Sequence, residues 1–498
     1  MPSALEEFLP ILALLVVVGI VIARLPRVDL GHSDAFRFRR VTNWLPVGLL
    51  YAFLYMGRYN LTVAKGALGE AFSIQEFSLV FGIGTATYGC AFLLNGPLTD
   101  RIGGKKAILI GATGAALANF AMGLVIWQQG FQQPALEPQA ASNLVPLLAL
   151  LYAANMYFQS FGAVAIVKIN APWFHVRERG VFGAIFGILI SLGIYFAFDV
   201  GGMIVSNFGV AEVFFVPAAL LATFVAIVAV RVQDSPAKAG FEDFDTADAS
   251  SGDDGPQLGA IEVFRLMFRQ PVIVTIACIE FCSGFLRQAI MNYYRAFSKA
   301  VDPDGTSFQE SWVYDNWGVV LCCAGILGGT FAGVLSDKLF HSRRGPVAAL
   351  LYGLMLVSAI ALTVLYVNPW MGWVIAFMSM SVIGVHGMLS GTASMDFGGK
   401  KNVGVAVGII DGFVYAGTAV MALTYWAILP DELDANYRDL EAWRVWPVSM
   451  VPIALLGLVL ASRVWNAKPK GRAPAPPVLG NLVPDRAARA PKRLVEKA

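Results

Sequence analysis

Thirteen stretches of roughly twenty apolar residues, with few charges inside them, limit this chain more than any other feature. They lie near 8–24, 43–65, 76–98, 107–127, 143–171, 180–206, 211–231, 271–297, 312–335, 346–367, 370–394, 403–428 and 446–465. A hydrocarbon layer about 30 Å thick takes roughly 20 residues of α-helix. Inside it the backbone must satisfy its own hydrogen bonds, which leaves helices or closed barrels. These runs are too long and too unalternating for barrel strands. Composition agrees: of 498 residues, 57% are hydrophobic and 14% charged, against about 25% charged in a soluble domain. A soluble enzyme is therefore not expected. Cys90, Cys278, Cys282, Cys322 and Cys323 all fall in apolar runs, without histidines at metal-ligand spacing. They read as small buried hydrophobes, and no metal or cofactor is expected.

Lysine and arginine set the direction of the spans. Five arginines, at 24, 27, 37, 39 and 40, follow the first run; Arg101, Lys105 and Lys106 lie between the third and fourth; basic residues then recur at every second loop, while 128–142 has none. The basic loops and the C-terminus are thus predicted to be cytoplasmic and the acidic N-terminus extracytoplasmic. The first run has no basic segment before it and no small-residue cleavage site after it, so it reads as a retained anchor rather than a signal peptide. Segment 232–256 is rich in Asp, Ala, Ser and Gly and reads as a disordered linker. Segment 466–498 holds six prolines and eight Lys/Arg against two acids and reads as a disordered basic tail near anionic lipid.

The chain repeats itself. Gly96-Pro97-Leu98-Thr99-Asp100-Arg101 ends one run, and Gly333-Val334-Leu335-Ser336-Asp337-Lys338 ends another 237 residues later. Each closes the second helix of a six-helix set. Arg58 and Arg287 lie deep in the first helix of each set. The predicted divisions are an anchor and cytoplasmic segment at 1–41, a six-helix half at 42–231, a linker at 232–270, a second half at 271–465 and a tail at 466–498. Parallel six-helix repeats place a central site between the halves.

Gly96–Lys106 resembles the loop signature of the major facilitator superfamily, and 333–344 its degenerate copy. Four segments resemble the organophosphate:phosphate antiporter family more narrowly: Tyr55–Asn60, Trp173–Gly180, Phe285–Arg287, and Lys400-Lys401 with Gly408–Tyr415. The resemblance covers about 42–465. It implies two six-helix halves, alternating access, a phosphate ester exchanged for inorganic phosphate, a location in a bacterial inner membrane, and Arg58 and Arg287 as the anion clamp. It also implies that Asp100 and Arg101, with Asp337 in the second copy, brace the halves. The chain departs from the family at Pro172 and Phe92, where antiporters carry histidine and lysine, and at Glu280, where they are neutral.

An arginine inside a bilayer must face a cavity or a partner. A guanidinium stays charged and forms bidentate forks to phosphate, so Arg58 and Arg287 are the substrate-binding candidates. The competing reading pairs them with Glu280 or Asp411. Tyr55 and Tyr59, spaced four apart, and Tyr294, seven beyond Arg287, are candidates to line the cavity or to pack. Lys168 either adds positive potential there or snorkels to the interface. His386 is either a substrate ligand or a core histidine. Glu280 shares a helix face with Arg287 and is either its charge partner or a proton-coupling carboxylate. Asp199 reads as interfacial. The expected partners are a small anionic substrate and membrane lipids, not nucleic acid, around a monomer. Proton-coupled carboxylate symport, and a transporter-like sensor of a phosphorylated ligand, are the rival functions.

Overall fold

The computed structural model describes residues 30–128, 145–175, 178–246, 260–269, 271–340, 344–390 and 394–466, with Val16 and Gly19. The expected anchor at 8–24, apart from those two residues, and the tail from 467 lie outside the described residues. Twelve long helices coincide with the other twelve apolar runs. The first six are α1 (Asp34–Leu68), α2 (Ile74–Ile102), α3 (Gly104–Gln128), α4 (Val145–Asn170), α5 (Arg179–Tyr195) and α6 (Glu212–Arg231). The second six are α7 (Pro271–Val301), α8 (Trp317–Leu339), α9 (Arg344–Leu365), α10 (Met371–Met388), α11 (Ser394–Ile428) and α12 (Val445–Arg463). Among the described residues there is no strand. Ten of the helices are long and apolar enough to cross a membrane. α1 is diluted by Arg58, Asn60 and three tyrosines, and the apolar part of α8 is the shorter Trp317–Gly333.

Caps set the helix starts. Ser33 accepts the Phe36 N–H at the head of α1. Ser73 and Glu76 exchange side-chain and backbone bonds at the head of α2, a reciprocal capping box. α5 runs through a π-helical turn, Phe196–Val200, into Gly201–Asn207. Within the first six helices α3 packs on α4 and α1 on α6; within the second, α7 packs on α11 and α9 on α12. α2 against α11 and α5 against α8 join the two sets.

The α2–α11 crossing depends on missing side chains. A Cβ on Gly408 would stand 2.6 Å from the Phe92 carbonyl oxygen, and that backbone cannot yield as a side chain can. Gly408→Ala is expected to destabilise the protein by about 1–3 kcal/mol, as overpacking does, and to lower its melting temperature in detergent. Gly329→Ala, with nothing within 4 Å of the added atom, is the matched control.

The linker differs from the expectation up to Thr246. Asn43 and Gln233 exchange bonds, Asn43 Oδ1 accepting from Gln233 N at 2.8 Å and its Nδ2 donating to Gln233 O at 3.1 Å. Trp173 Nε1 donates to the same Gln233 carbonyl, at 3.2 Å. Asp234 accepts the Lys105 N–H at 2.7 Å, at the start of α3. Phe241 and Phe244 pack edge-on to Phe36. A few anchors hold this segment against the first six helices, too sparsely to show in a composition of acids and small residues.

Candidate anion-binding site

α1 turns Tyr51, Tyr55, Arg58, Tyr59 and Thr62 toward the other helices at spacings of three and four, the period of one helix face. Arg58 is 1% exposed. Its Nε donates to Gln159 Oε1 at 2.9 Å, its Nη2 to the Tyr88 hydroxyl at 2.8 Å, and its Nη1 to the Tyr415 hydroxyl. Tyr55 lies against the guanidinium at 4.4 Å and Tyr88 at 4.7 Å. All three acceptors are neutral. Arg58 is thus oriented by hydrogen bonds and ring faces rather than by an ion pair with Glu280 or Asp411.

Behind it stands a ladder of amides. Gln159 donates to Asn155 at 3.0 Å, Asn155 to the Gly57 carbonyl at 3.0 Å, Asn119 to Asn155 at 3.0 Å, and Asn60 to Asn119 at 2.6 Å. Apart from Asn60 Oδ1, which has no partner among the described residues, these buried amides bond one another or the backbone, and such a network fixes one geometry. The sequence reading missed these residues, because neutral amides on three separate helices give no signal until the fold joins them. It also missed Tyr88 and used Tyr415 only as part of a family segment.

Arg287 is also buried, but its Nε and Nη2 have no hydrogen-bond partner. Tyr59, Tyr415, Tyr55 and Glu280 lie within coulombic reach of it. Tyr415 and Tyr55 also neighbour Arg58, so the two arginines share one aromatic cluster although they stand in different halves. Next to Arg287, Gln288 donates to the Tyr59 hydroxyl at 2.7 Å and Thr62 to Asn292 at 2.8 Å.

Glu280 does not form an ion pair with Arg287. Its Oε2 lies 2.8 Å from His386 Nδ1, on α10, and its Oε1 has no partner. Two helical turns separate Glu280 from Arg287 along α7, and α10 packs against α7, so the imidazole of His386 comes within reach of the acid. His386 thus has a buried partner on the neighbouring helix. Asp411 accepts from Ser390 and shares its surroundings with His386, Glu280 and Arg287.

Three other candidates sit elsewhere. Tyr294 packs on Trp317 at 4.8 Å and approaches the Ser311 hydroxyl at 3.3 Å, inside the second half, because two turns carry it past Arg287. Lys168 bonds Asp100 at 2.7 Å, within the first half; the acid at the end of α2 takes its charge. Asp100 in this state therefore engages its own half. Arg101 is exposed, and the Asp337 side chain lies outside the described residues. All five cysteines are free, but Cys90 and Cys323 are exposed; apolar helix faces that meet lipid carry them, not the core.

Asp199 is more than interfacial. From the π-turn of α5 its carboxylate accepts the N–H groups of Gly318 at 2.8 Å and Val319 at 2.9 Å, capping the first turn of α8 across the seam. An acid is favoured at a helix N-terminus. Asp199→Ala is expected to lower stability by about 0.5–2 kcal/mol, the usual loss of a cap; thermal unfolding in detergent measures it, and an unchanged melting curve would contradict the cap.

These features define a helical integral membrane protein of two six-helix sets, with buried arginines from both sets meeting in one aromatic cluster. The family profile described as Major Facilitator Superfamily matches residues 47–422. The chain belongs to the Major Facilitator Superfamily, a family of transporters and not of enzymes. It is 23% identical to the glycerol-3-phosphate transporter of Bacillus subtilis over 463 residues, covering 88% of this chain and 96% of that one. It is 24% identical to the membrane sensor protein UhpC of Salmonella typhimurium, covering 79% and 86%. Among solved structures, a bacterial homolog of the human lysosomal transporter Spinster, inward-facing and unoccupied, shares the fold with a TM-score of 0.62 at 15% identity, over 87% and 98% of the two chains.

Proposed function

We propose that the chain is a secondary active transporter of a small organic anion, a phosphate ester, exchanged for inorganic phosphate by alternating access. One observation carries this: the buried Arg287 guanidinium keeps Nε and Nη2 without a protein acceptor, beside an Arg58 held by neutral partners. A buried cation with open donors is costly unless a ligand supplies the acceptors, and a phosphate oxygen pair fits that fork. The likeness to the glycerol-3-phosphate transporter supports the same substrate class. The units that move are the halves 42–231 and 271–465, with the basic loops cytoplasmic and the single chain sufficient for transport. Purified protein in phosphate-loaded liposomes is expected to take up labelled glycerol 3-phosphate or a hexose phosphate. Uptake driven by a pH gradient and indifferent to internal phosphate would defeat this.

A second reading rests on the Glu280–His386 pair, a buried acid and imidazole 2.8 Å apart, which is suited to carrying a proton. It makes the protein a proton-coupled carboxylate symporter. Binding without flux in the same liposomes would instead favour a sensor, as the likeness to UhpC would have it.

A further inference from the structure

At the end of the bundle opposite the basic loops lies a cavity of about 750 Å³. Its wall comes from both halves: the end of α1, the end of α7 and the segment after α11. Six charged side chains line it, Lys65, Arg295, Lys299, Arg438, Glu432 and Asp434. The acids are already engaged. Glu432 takes Lys65 at 2.5 Å and the Ile74 N–H at 2.6 Å. Asp434 accepts the Asp431 N–H at 2.9 Å. The cations are not matched in return. Lys299 donates to the Gly66 carbonyl at 2.7 Å, which is a neutral partner. Arg295 lies against the Tyr314 ring at 4.7 Å and has no hydrogen bond or ion pair among the described residues. Asp199 is within its field, but that carboxylate already accepts two N–H groups of α8. Arg438 is exposed and has no carboxylate partner among the described residues. Four cations and two carboxylates thus leave the chamber an excess of two positive charges, and low-dielectric walls focus such a field on incoming anions.

We propose that this vestibule is a second anion site, which binds inorganic phosphate or a phosphate monoester at the mouth of the pathway before the arginine pair receives it. The position in a pathway rests on the transport reading above; the site itself does not. Two of its cations also tie the halves together: Lys299 holds the Gly66 carbonyl, and Lys65 holds Glu432. An anion on Lys299 competes with Gly66, and one on Lys65 competes with Glu432, so occupancy loosens this end of the bundle as cargo arrives.

The test is titration of the full-length protein with inorganic phosphate, in detergent free of phospholipid, by calorimetry. Two classes of site are expected. Arg295→Gln with Arg438→Gln should remove one, and Arg287→Lys should weaken the other. Neither vestibule arginine makes a bond that folding requires, and Arg438→Glu alone, at an exposed position, should weaken the same class about tenfold. In liposomes the double variant should raise KM about tenfold at unchanged maximal rate, with a shallower salt dependence. Two intact classes in the double variant, or a single class abolished by Arg287→Lys, overturns the proposal. If added phosphatidylglycerol displaces nothing, the site serves soluble phosphate; if the lipid binds there and inorganic phosphate does not, the proposal is wrong. Failure of the central reading shows differently: Arg287→Lys then changes neither class, while the vestibule variants still remove one.

Discussion

Arg287→Lys is expected to lower phosphate affinity by about tenfold to a hundredfold and to abolish most exchange, while leaving the melting temperature of the empty protein unchanged. Lysine keeps the charge but loses the planar fork, and a charge-assisted hydrogen bond is worth about 1.5–3 kcal/mol, with each 1.4 kcal/mol a factor of ten. Stability is spared because Arg287 Nε and Nη2 bond nothing in the protein. Arg58→Lys should separate from it. Three acceptors depend on Arg58, and lysine cannot reach all of them in one plane. That variant should lose binding and also about 3 kcal/mol of stability. Calorimetric binding and thermal unfolding of both variants make the comparison. Wild-type affinity in Arg287→Lys, or equal stability loss in both, would contradict the assignment of one arginine as ligand-facing and the other as braced.

Glu280→Gln is expected to tighten anion binding about tenfold. Seven residues at 1.5 Å rise put the carboxylate about 10 Å along the helix from Arg287. At an effective dielectric constant of about 20, that separation is worth about 1.6 kcal/mol. Glutamine keeps the shape and a hydrogen bond for His386 but removes the opposing charge, so the anion meets an undiminished guanidinium. Exchange should keep its dependence on internal phosphate. Counterflow measured with and without a pH gradient checks this. If wild-type uptake follows the gradient and Glu280→Gln loses that response at unchanged affinity, the pair with His386 carries a coupled proton and the exchange reading fails.

The helices were legible because a bilayer forces long apolar runs, and a run of that length leaves few alternatives. The two arginines were legible for the opposite reason: a charge inside such a run is costly and stands out. Their surroundings were not. Gln159, Asn155 and Asn119 are ordinary amides until α3 and α4 bring them behind α1, and nothing in spacing joins Tyr88 to Tyr415. Glu280 sits on the same face as Arg287, which suggested a local pair, but helical spacing is silent about α10, where its partner lies. Lys168 and Asp100 were both singled out but assigned to different tasks, since only the packing of α2 on α4 shows that they meet.

A site whose fixed charges come from two guanidinium groups has an electrical signature as well as a chemical one. With Glu280 and Asp411 both buried beside them, two guanidinium groups face two carboxyl groups and the empty site holds little net charge, while carrying one elementary charge across a membrane potential costs about 2.3 kcal/mol per 100 mV. A bound dianion brings two negative charges into that near balance, so the loaded protein feels the voltage as it reorients and the unloaded one scarcely does. Under the proposed exchange, both the inward and the outward step carry a laden site, so the electrical work of one step is returned in the next and a like-for-like trade of dianions is electrically silent.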